Sequence, residues 1–382
     1  MNKNKIAVRW LSAGHFANDI YTGVLNPIMP FIAAKLGITM AMATAVISIS
    51  SIFSTLLQPI FGFFADNMLK RLFIFWGLIL SSIFIPLTPL APNTYILILF
   101  IILGSLGSSF YHPQASGFVN KFASMCNSCA NDMGIFISMG SLGYSFGPLI
   151  AAGVTQYLGM EKMPLMSILG LSLAFTMFLF VPKLSNIETK PEYKTFKETF
   201  YTILTNKKMN YLMIISMMKV LVTTSCCTLL PFLWKDMGYK PFYIGVALFL
   251  FIIAGGIGSL CSHKIEMAVG SKALLYFSMT ATLPMIVMFS LTYKHHPVFS
   301  IATFVVIGFT TMLAQPVTMV MGQTLLPQYK SVVAGFMNGF AWGVVAISLS
   351  LIGLTAQEYG ITNVLIILSL FPVIASPLIQ YL

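Results

Sequence analysis

The sequence predicts an all-α polytopic membrane protein with twelve transmembrane helices in two six-helix bundles. Three observations predict it: the composition, the number of apolar runs of span length, and a repeat between the halves. Of 382 residues, 57% are hydrophobic and 8% charged, against roughly 25% charged in an average soluble domain. A water-facing surface cannot be built from that. The 21 Lys+Arg and 10 Asp+Glu fit into loops and ends, which leaves the rest of the chain for a hydrocarbon solvent. The net charge of +11 is spread singly between apolar runs, so no basic face for nucleic acid is expected.

At about 20 residues per span and 1.5 Å rise per residue, helices are expected at 8–34, 40–65, 72–91, 94–119, 133–158, 163–182, 209–234, 241–262, 273–293, 298–324, 331–356 and 361–382. The first follows Lys3, Lys5 and Arg9 as a signal peptide would. His15, Asn18 and Asp19 interrupt it and no small-residue cleavage site follows, so it is expected to stay as a helix. Ser12, His15, Asp19, Thr22 and Asn26 are spaced 3, 4, 3 and 4 along it, which puts them on one polar stripe. The second span repeats the device with Ser48, Ser51, Thr55 and Gln58, the fourth with Ser105, Ser108, His112 and Ser116, and the seventh with Ser216, Lys219, Thr223 and Cys227. Any one hydroxyl on these stripes reads as hydrogen-bond glue between helices; several stripes together point to a water-accessible central cavity.

Tyr111-His112-Pro113-Gln114 is expected to break the fourth span, because proline removes a backbone donor and frees a carbonyl. A simple kink is the plainer alternative. The fifth span carries Gly134, Gly143, Gly147 and Pro148, small residues that let helices approach closely. It also contains Gly143-Tyr144-Ser145-Phe146-Gly147, a formal match to a serine-hydrolase elbow. That elbow needs a strand, a sharp turn and a helix, whereas this match lies midway through a long apolar run.

The one long connection separates six spans from six, so the expected organisation is a first bundle over 1–183, a linker over 184–208 and a second bundle over 209–382. Phe196, Phe200, Ile203 and Leu204 recur there at helical spacing, which suits either an amphipathic helix on the membrane surface or a plain tether. Counting Lys and Arg on alternate sides of the spans, fifteen fall on the side of the N-terminus and five on the other. The positive-inside rule then places both termini in the cytoplasm.

The halves repeat. Pro30-Phe31-Ile32 with Gly37 matches Pro231-Phe232-Leu233 with Gly238 at an offset of 201, Asp66 matches Glu266 at 200, and His112-Pro113 matches Gln315-Pro316 at 203. Duplication of a six-helix unit is how two-bundle secondary transporters are built.

Asp19 lies ten residues from Arg9 and Lys219 ten from Met209, roughly 15 Å along each helix axis, and charges at that depth usually serve transport. Burial disfavours a charged carboxylate and a nearby cation favours it. A carboxylate that meets and leaves a cation through a cycle therefore exchanges a proton. Asp19 is the expected carrier and Lys219 its counter-ion, with a permanent ion pair locking the bundles as the alternative. His15, one turn before Asp19, is expected either to relay the proton, to bind substrate, or to be a hydrogen-bonded core residue. Asn26, Gln58, Tyr111, His112, Tyr144, Gln315, Asn338 and Trp342 are the expected cavity-lining residues. Cys126, Cys129, Cys226, Cys227 and Cys261 read as free thiols, since no second Cys or His pair near the CxxC completes a zinc site. No metal and no cofactor are expected.

Gly62-Phe63-Phe64-Ala65-Asp66-Asn67-Met68-Leu69-Lys70-Arg71 resembles the loop signature of the major facilitator superfamily, Gly-x-x-x-Asp followed by a basic pair. Asn67 and Leu69 stand where that family usually has Arg and Gly. The resemblance implies a conformational latch at Gly62, Asp66, Lys70 and Arg71, with a degenerate counterpart at Glu266. The glycine pattern of the fifth span is similar to the antiporter signature of that family's drug exporters, with Ala151-Ala152 in place of Gly-Gly. His15-Phe16-Ala17-Asn18-Asp19 and Phe110-Tyr111-His112-Pro113 resemble the fosmidomycin-resistance-like exporters. What this implies is a monomeric inner-membrane transporter, not an enzyme, exporting a small molecule in exchange for protons. A proton-coupled importer is the alternative on the same fold, and an intramembrane enzyme or receptor the rival from another class.

Overall fold

The computed structural model describes residues 3–58, 60–61, 71–124, 129–182, 196–327, 333 and 336–382. The chain divides into two compact units, Met1–Lys190 with Trp234–Phe249, and Pro191–Leu233 with Leu250–Leu382. The first cut falls inside the expected linker, and the stretch 234–249 groups with the first unit. The main-chain N–H of Phe242 donates to Gln156 Oε1 at 3.0 Å, and Phe249 meets Phe146 with ring centroids 5.2 Å apart.

In the first unit, α1 (Lys3–Leu36) is about 51 Å long at 1.5 Å per residue and ends where Gly37 takes a φ of 65°, which only glycine adopts without strain. Next, α2 (Met40–Ser51) starts on the Thr39 side chain, which accepts from the Met42 N–H, and passes into a π-helical turn at Ile52–Leu56. It is followed by α3 (Arg71–Leu87), α4 (Thr94–Ser124), α5 (Cys129–Tyr157) and α6 (Ser167–Phe180). Asn93 Oδ1 accepts from the Ile96 N–H at 3.0 Å, so α4 begins on a side-chain cap. The α4 helix runs unbroken through Pro113. The expected break is therefore absent: one missing donor is too little to end a helix held on both sides by complete turns. Exposed apolar side chains such as Ile168, Phe175 and Leu179 on α6 suit contact with lipid chains.

In the second unit, α7 (Phe196–Thr205) is the amphipathic linker helix. Ile203 is fully buried and Phe200 packs beside it against Met209, Leu212, Leu326 and Phe336. Phe200 and Ile203 of its apolar face thus pack on protein, while Leu204 is 39% exposed and the Phe196 side chain lies outside the described residues. Asn206 Oδ1 caps α8 (Lys207–Asp236) through the Met209 N–H at 3.0 Å. Then come α9 (Pro241–Val269), α10 (Ser271–Thr280), α11 (Thr282–Thr292), α12 (Pro297–Leu313) and α13 (Gln315–Leu325). The last two form one span interrupted at Ala314, which has φ −95° and ψ 4°, and Pro316 stands at the start of α13. Here the repeat of His112-Pro113 does break its helix. A π-helical turn at Phe336–Phe340 leads into α14 (Ala341–Tyr359), and α15 (Ile361–Ala375) closes the chain.

Ten spans among the described residues are long and apolar enough to cross a membrane. The polar stripe lowers the hydropathy of α1, and α2 belongs to a shorter apolar helix, Met40–Leu56. With these two the chain has the twelve spans of the predicted fold. The repeat also extends further than the sequence reading: Gly159 and Gly360, again 201 apart, take φ of 92° and 87°, as Gly37 and Gly238 take 65° and 83°. The same turn chemistry recurs at the same place in each half.

Of the expected latch, Gly62, Asp66 and Lys70 lie outside the described residues. Arg71 opens α3, donates from Nη1 to the Val181 carbonyl at 2.6 Å and lies over the Phe178 and Phe75 rings at 4.9 and 5.4 Å. It thus places a cation at the C-terminus of α6, where the helix dipole favours one. Arg71→Ala should lower thermal stability by about 1–2 kcal/mol from the lost charged hydrogen bond and ring contacts. Arg71→Lys should recover only part, since a point charge does not stack; equal Tm values for all three proteins would exclude this anchoring role. Glu266 accepts from Ser271 Oγ at 2.6 Å, a local bond across the turn at Gly270.

Candidate functional site

The polar stripe of α1 separates into two kinds of residue. Ser12 donates to the Val8 carbonyl at 2.9 Å and Thr22 to that of Asp19 at 2.8 Å, so both hydroxyls are spent on their own helix. His15 and Asp19 turn to each other one helical turn apart, with Nε2 3.3 Å from Oδ2. From α4, His112 Nε2 approaches the other carboxylate oxygen at 3.2 Å. The two imidazoles meet edge to face with centroids 4.9 Å apart, and Asp19 lies between them.

The surroundings orient this cluster. His15 Nδ1 lies 2.8 Å from the Phe136 carbonyl, and the ring stacks on Phe136 at 4.1 Å. A carbonyl only accepts, so Nδ1 carries a proton and Nε2 is the atom left to deal with Asp19. Asn18 Nδ2 donates to Asp19 Oδ1 at 3.1 Å and lies 3.3 Å from both Ser108 Oγ and His112 Nε2. Ser81 Oγ on α3 reaches Asn18 Oδ1 at 3.0 Å. On α5, Gly140 leaves the cluster its room: a Cβ there would be 2.8 Å from Asp19 Oδ2 and closer still to the His15 ring. The side chains of Asp19 and His112 are 14% and 23% exposed, so the cluster is buried with one accessible edge.

The α1–α5 crossing that holds this geometry is made by glycine. A Cβ on Gly147 would lie 2.5 Å from the Ile20 carbonyl oxygen, one on Gly23 would lie 2.7 Å from that of Tyr144, and one on Gly143 would overlap the Phe16 carbonyl. Pro148 is buried at the same crossing, its Cδ 3.0 Å from the Gly23 position. Gly134, expected among the packing residues, is exposed with nothing within 4 Å of its missing Cβ. Ser145 donates to the Leu142 carbonyl at 2.7 Å inside α5, so the hydrolase-like pentapeptide forms no elbow.

The expected cavity residues are dispersed. His112 joins the Asp19 carboxylate. Tyr111 is fully buried and its hydroxyl donates to the Leu11 carbonyl at 2.7 Å, which ties α4 to α1. Gln58 folds back to donate to the Ser54 carbonyl at 2.7 Å. The Asn26 side-chain oxygen is buried with no hydrogen-bond partner among the described residues. Tyr144, Gln315 and Trp342 are half-buried, and the Asn338 side chain lies outside the described residues. In the second unit, Lys219 is buried on α8, and its ammonium has no hydrogen-bond partner among the described residues. The ion pairs to Asp19 among the described residues come from His15 and His112. Cys226, Cys227 and Cys261 are free thiols.

Sequence reasoning missed Asn18, Ser81 and Gly140. Asn18 sits next to Asp19 but off the stripe, and nothing in the linear order ties Ser81 or Gly140 to this cluster. Among the described residues His15, Asp19 and His112 are the one group of three with metal-ligand atoms close together, all within 4.8 Å of one another.

A family model described as Major Facilitator Superfamily matches residues 11–351. The chain is 24% identical over 373 residues to the fosmidomycin resistance protein of Escherichia coli (strain K12), covering 95% of this chain and 89% of that one. It is 21% identical over 371 residues to the MFS-type transporter YfnC of Bacillus subtilis (strain 168), covering 94% and 88%. Among solved structures, a bacterial homolog of the human lysosomal transporter Spinster in an inward-facing, unoccupied conformation superposes with TM-score 0.79 at 13% identity, over 100% of this chain and 97% of that one. The nucleoside transporter NupG superposes with TM-score 0.77 at 15% identity, over 100% and 99%. These two likenesses concern the fold.

Proposed function

The chain belongs to the Major Facilitator Superfamily, and on that premise we propose that it is a proton-coupled exporter, an antiporter of small molecules working by alternating access in the cell inner membrane with both termini cytoplasmic. The observation that carries the reading is the Asp19 carboxylate, set mid-span between two imidazoles whose Nε2 atoms lie 3.3 and 3.2 Å from its two oxygens. Such a cluster changes charge by moving a proton over short distances, which is what coupling requires. Similarity to a resistance protein and the glycine pattern of α5 favour export. Asp19 is the proton carrier in this reading, His15 and His112 its partners, and the protein works as a monomer. Gly62, Asp66, Lys70 and Arg71 form the latch, with Glu266 its degenerate counterpart. Asn26, Gln58, Tyr144, Gln315, Asn338 and Trp342 remain the proposed substrate-facing set.

Inverted membrane vesicles with an acid interior, read by a pH-sensitive dye across a compound panel, test the reading. For an antiporter, substrate added outside dissipates the acid interior. Dissipation only when substrate is loaded inside identifies an importer instead, and no response to any compound removes proton coupling.

Lys219 belongs to the coupling machinery in this reading. A buried ammonium without an acceptor contributes nothing to folding and costs desolvation. Lys219→Ala should therefore abolish transport while leaving Tm unchanged or higher, and Lys219→Arg should retain part of the transport by keeping the charge. A fall in Tm with transport intact would make Lys219 a structural residue.

A further inference from the structure

We propose that His15, Asp19 and His112 form a binding site for a divalent transition-metal cation of the zinc type. The inference goes beyond proton exchange and is independent of transport direction. It starts from distances. With metal–ligand bonds of about 2.0–2.1 Å, two ligand atoms on a tetrahedral ion stand about 3.3–3.4 Å apart. The His15 Nε2 to Asp19 Oδ2 and His112 Nε2 to Asp19 Oδ1 separations are 3.3 and 3.2 Å, and all three ligands fall within 4.8 Å of one another. The two short separations run to different oxygens of the carboxylate, so turning Asp19 and the imidazoles within this cluster is what brings one atom of each onto a single ion.

The outer partners match as well. Metal-bound imidazoles usually donate their second N–H to a carbonyl or carboxylate, which fixes the ligating nitrogen; His15 Nδ1 does so to the Phe136 carbonyl at 2.8 Å. The ligating carboxylate is steadied by the Asn18 amide at 3.1 Å. Two imidazoles with one carboxylate suit zinc, cobalt or nickel; magnesium and calcium take oxygen ligands. Three protein ligands leave a fourth position, and the partial exposure of Asp19 and His112 gives water or a substrate group access to it. All ligands come from α1 and α4 of a single unit. The linear sequence hides the set because His112 is 93 residues from Asp19.

The test uses detergent-purified full chain, stripped with EDTA and titrated with Zn²⁺ by calorimetry and with Co²⁺ by visible absorption. The background carries Cys126→Ser, Cys129→Ser, His295→Ala and His296→Ala, so that the CxxC and the exposed adjacent histidines cannot bind. One equivalent per chain is expected, with the intense visible bands of four-coordinate Co²⁺. His15→Ala and His112→Ala should each weaken binding by at least tenfold while eluting as the parent does on size exclusion. No binding at micromolar metal, or an isotherm unchanged in both correctly eluting variants, overturns the site. Asp19→Asn supplies a second ligand change that needs no volume change, and retained affinity there also counts against it. Transport with EDTA present reads the exporter proposal separately. Proton-driven transport without any metal binding sinks the metal site alone, and metal binding without proton exchange removes the carrier alone.

Discussion

Asp19→Asn should reduce proton-driven accumulation in vesicles to background while substrate counterflow persists. The replacement keeps the size and one carbonyl oxygen, so Asn18 and one histidine retain an acceptor. It cannot take up or release a proton, which removes the step that couples the gradient to transport. Counterflow exchanges substrate for substrate and needs only the conformational change, so it tests whether the protein is folded and moving. His15→Ala and His112→Ala should each lower accumulation less, because each leaves one imidazole on the carboxylate. If Asp19→Asn still concentrates substrate on a pH gradient alone, the carrier lies elsewhere.

Gly143→Ala should destabilise the first unit, whereas Gly134→Ala on the same helix should not. At Gly143 the added carbon overlaps the Phe16 carbonyl and lies 2.8 and 2.9 Å from Phe16 C and Cα. Main chain cannot turn aside as a side chain can, so the α1–α5 crossing must open. Overpacking of this kind costs about 1–3 kcal/mol, and the separation also moves Phe136 and Gly140 away from His15. A lower Tm together with impaired transport is expected. At Gly134 the added carbon meets nothing within 4 Å, and alanine should stabilise by about 0.5–1 kcal/mol through reduced backbone freedom. Equal melting temperatures for the two variants would show that the close approach does not hold the helices together.

The membrane class, the spans and the repeat were legible in the sequence because each rests on local, periodic signals. Apolar runs of span length report a hydrocarbon solvent whatever their neighbours are, and the spacing of Ser12, His15, Asp19 and Asn26 reports one helix face. Gly37 and Gly238 mark helix ends because only glycine takes their φ without strain, a property of the single residue. The partners of Asp19 were not legible in the same way. His112 is expected among cavity residues because of its proline neighbour, and Lys219 is the expected counter-ion because it is the other mid-span charge. Which polar groups meet depends on how α1, α3, α4 and α5 rotate and cross, and that is set by packing between residues far apart in sequence.

The two prolines show the same division. His112-Pro113 and Gln315-Pro316 look alike in the chain, yet α4 continues through the first and the tenth span breaks at Ala314 before the second. A proline removes the same donor in both places; the surroundings decide whether the freed turn is held in line. By itself the sequence determined the solvent each segment requires, the helices that satisfy it and the residues costly enough to bury that they must have a use. Only the tertiary structure decided which of those residues meet, because hydrogen bonds of about 3 Å depend on how the helices rotate and cross where glycines let them approach.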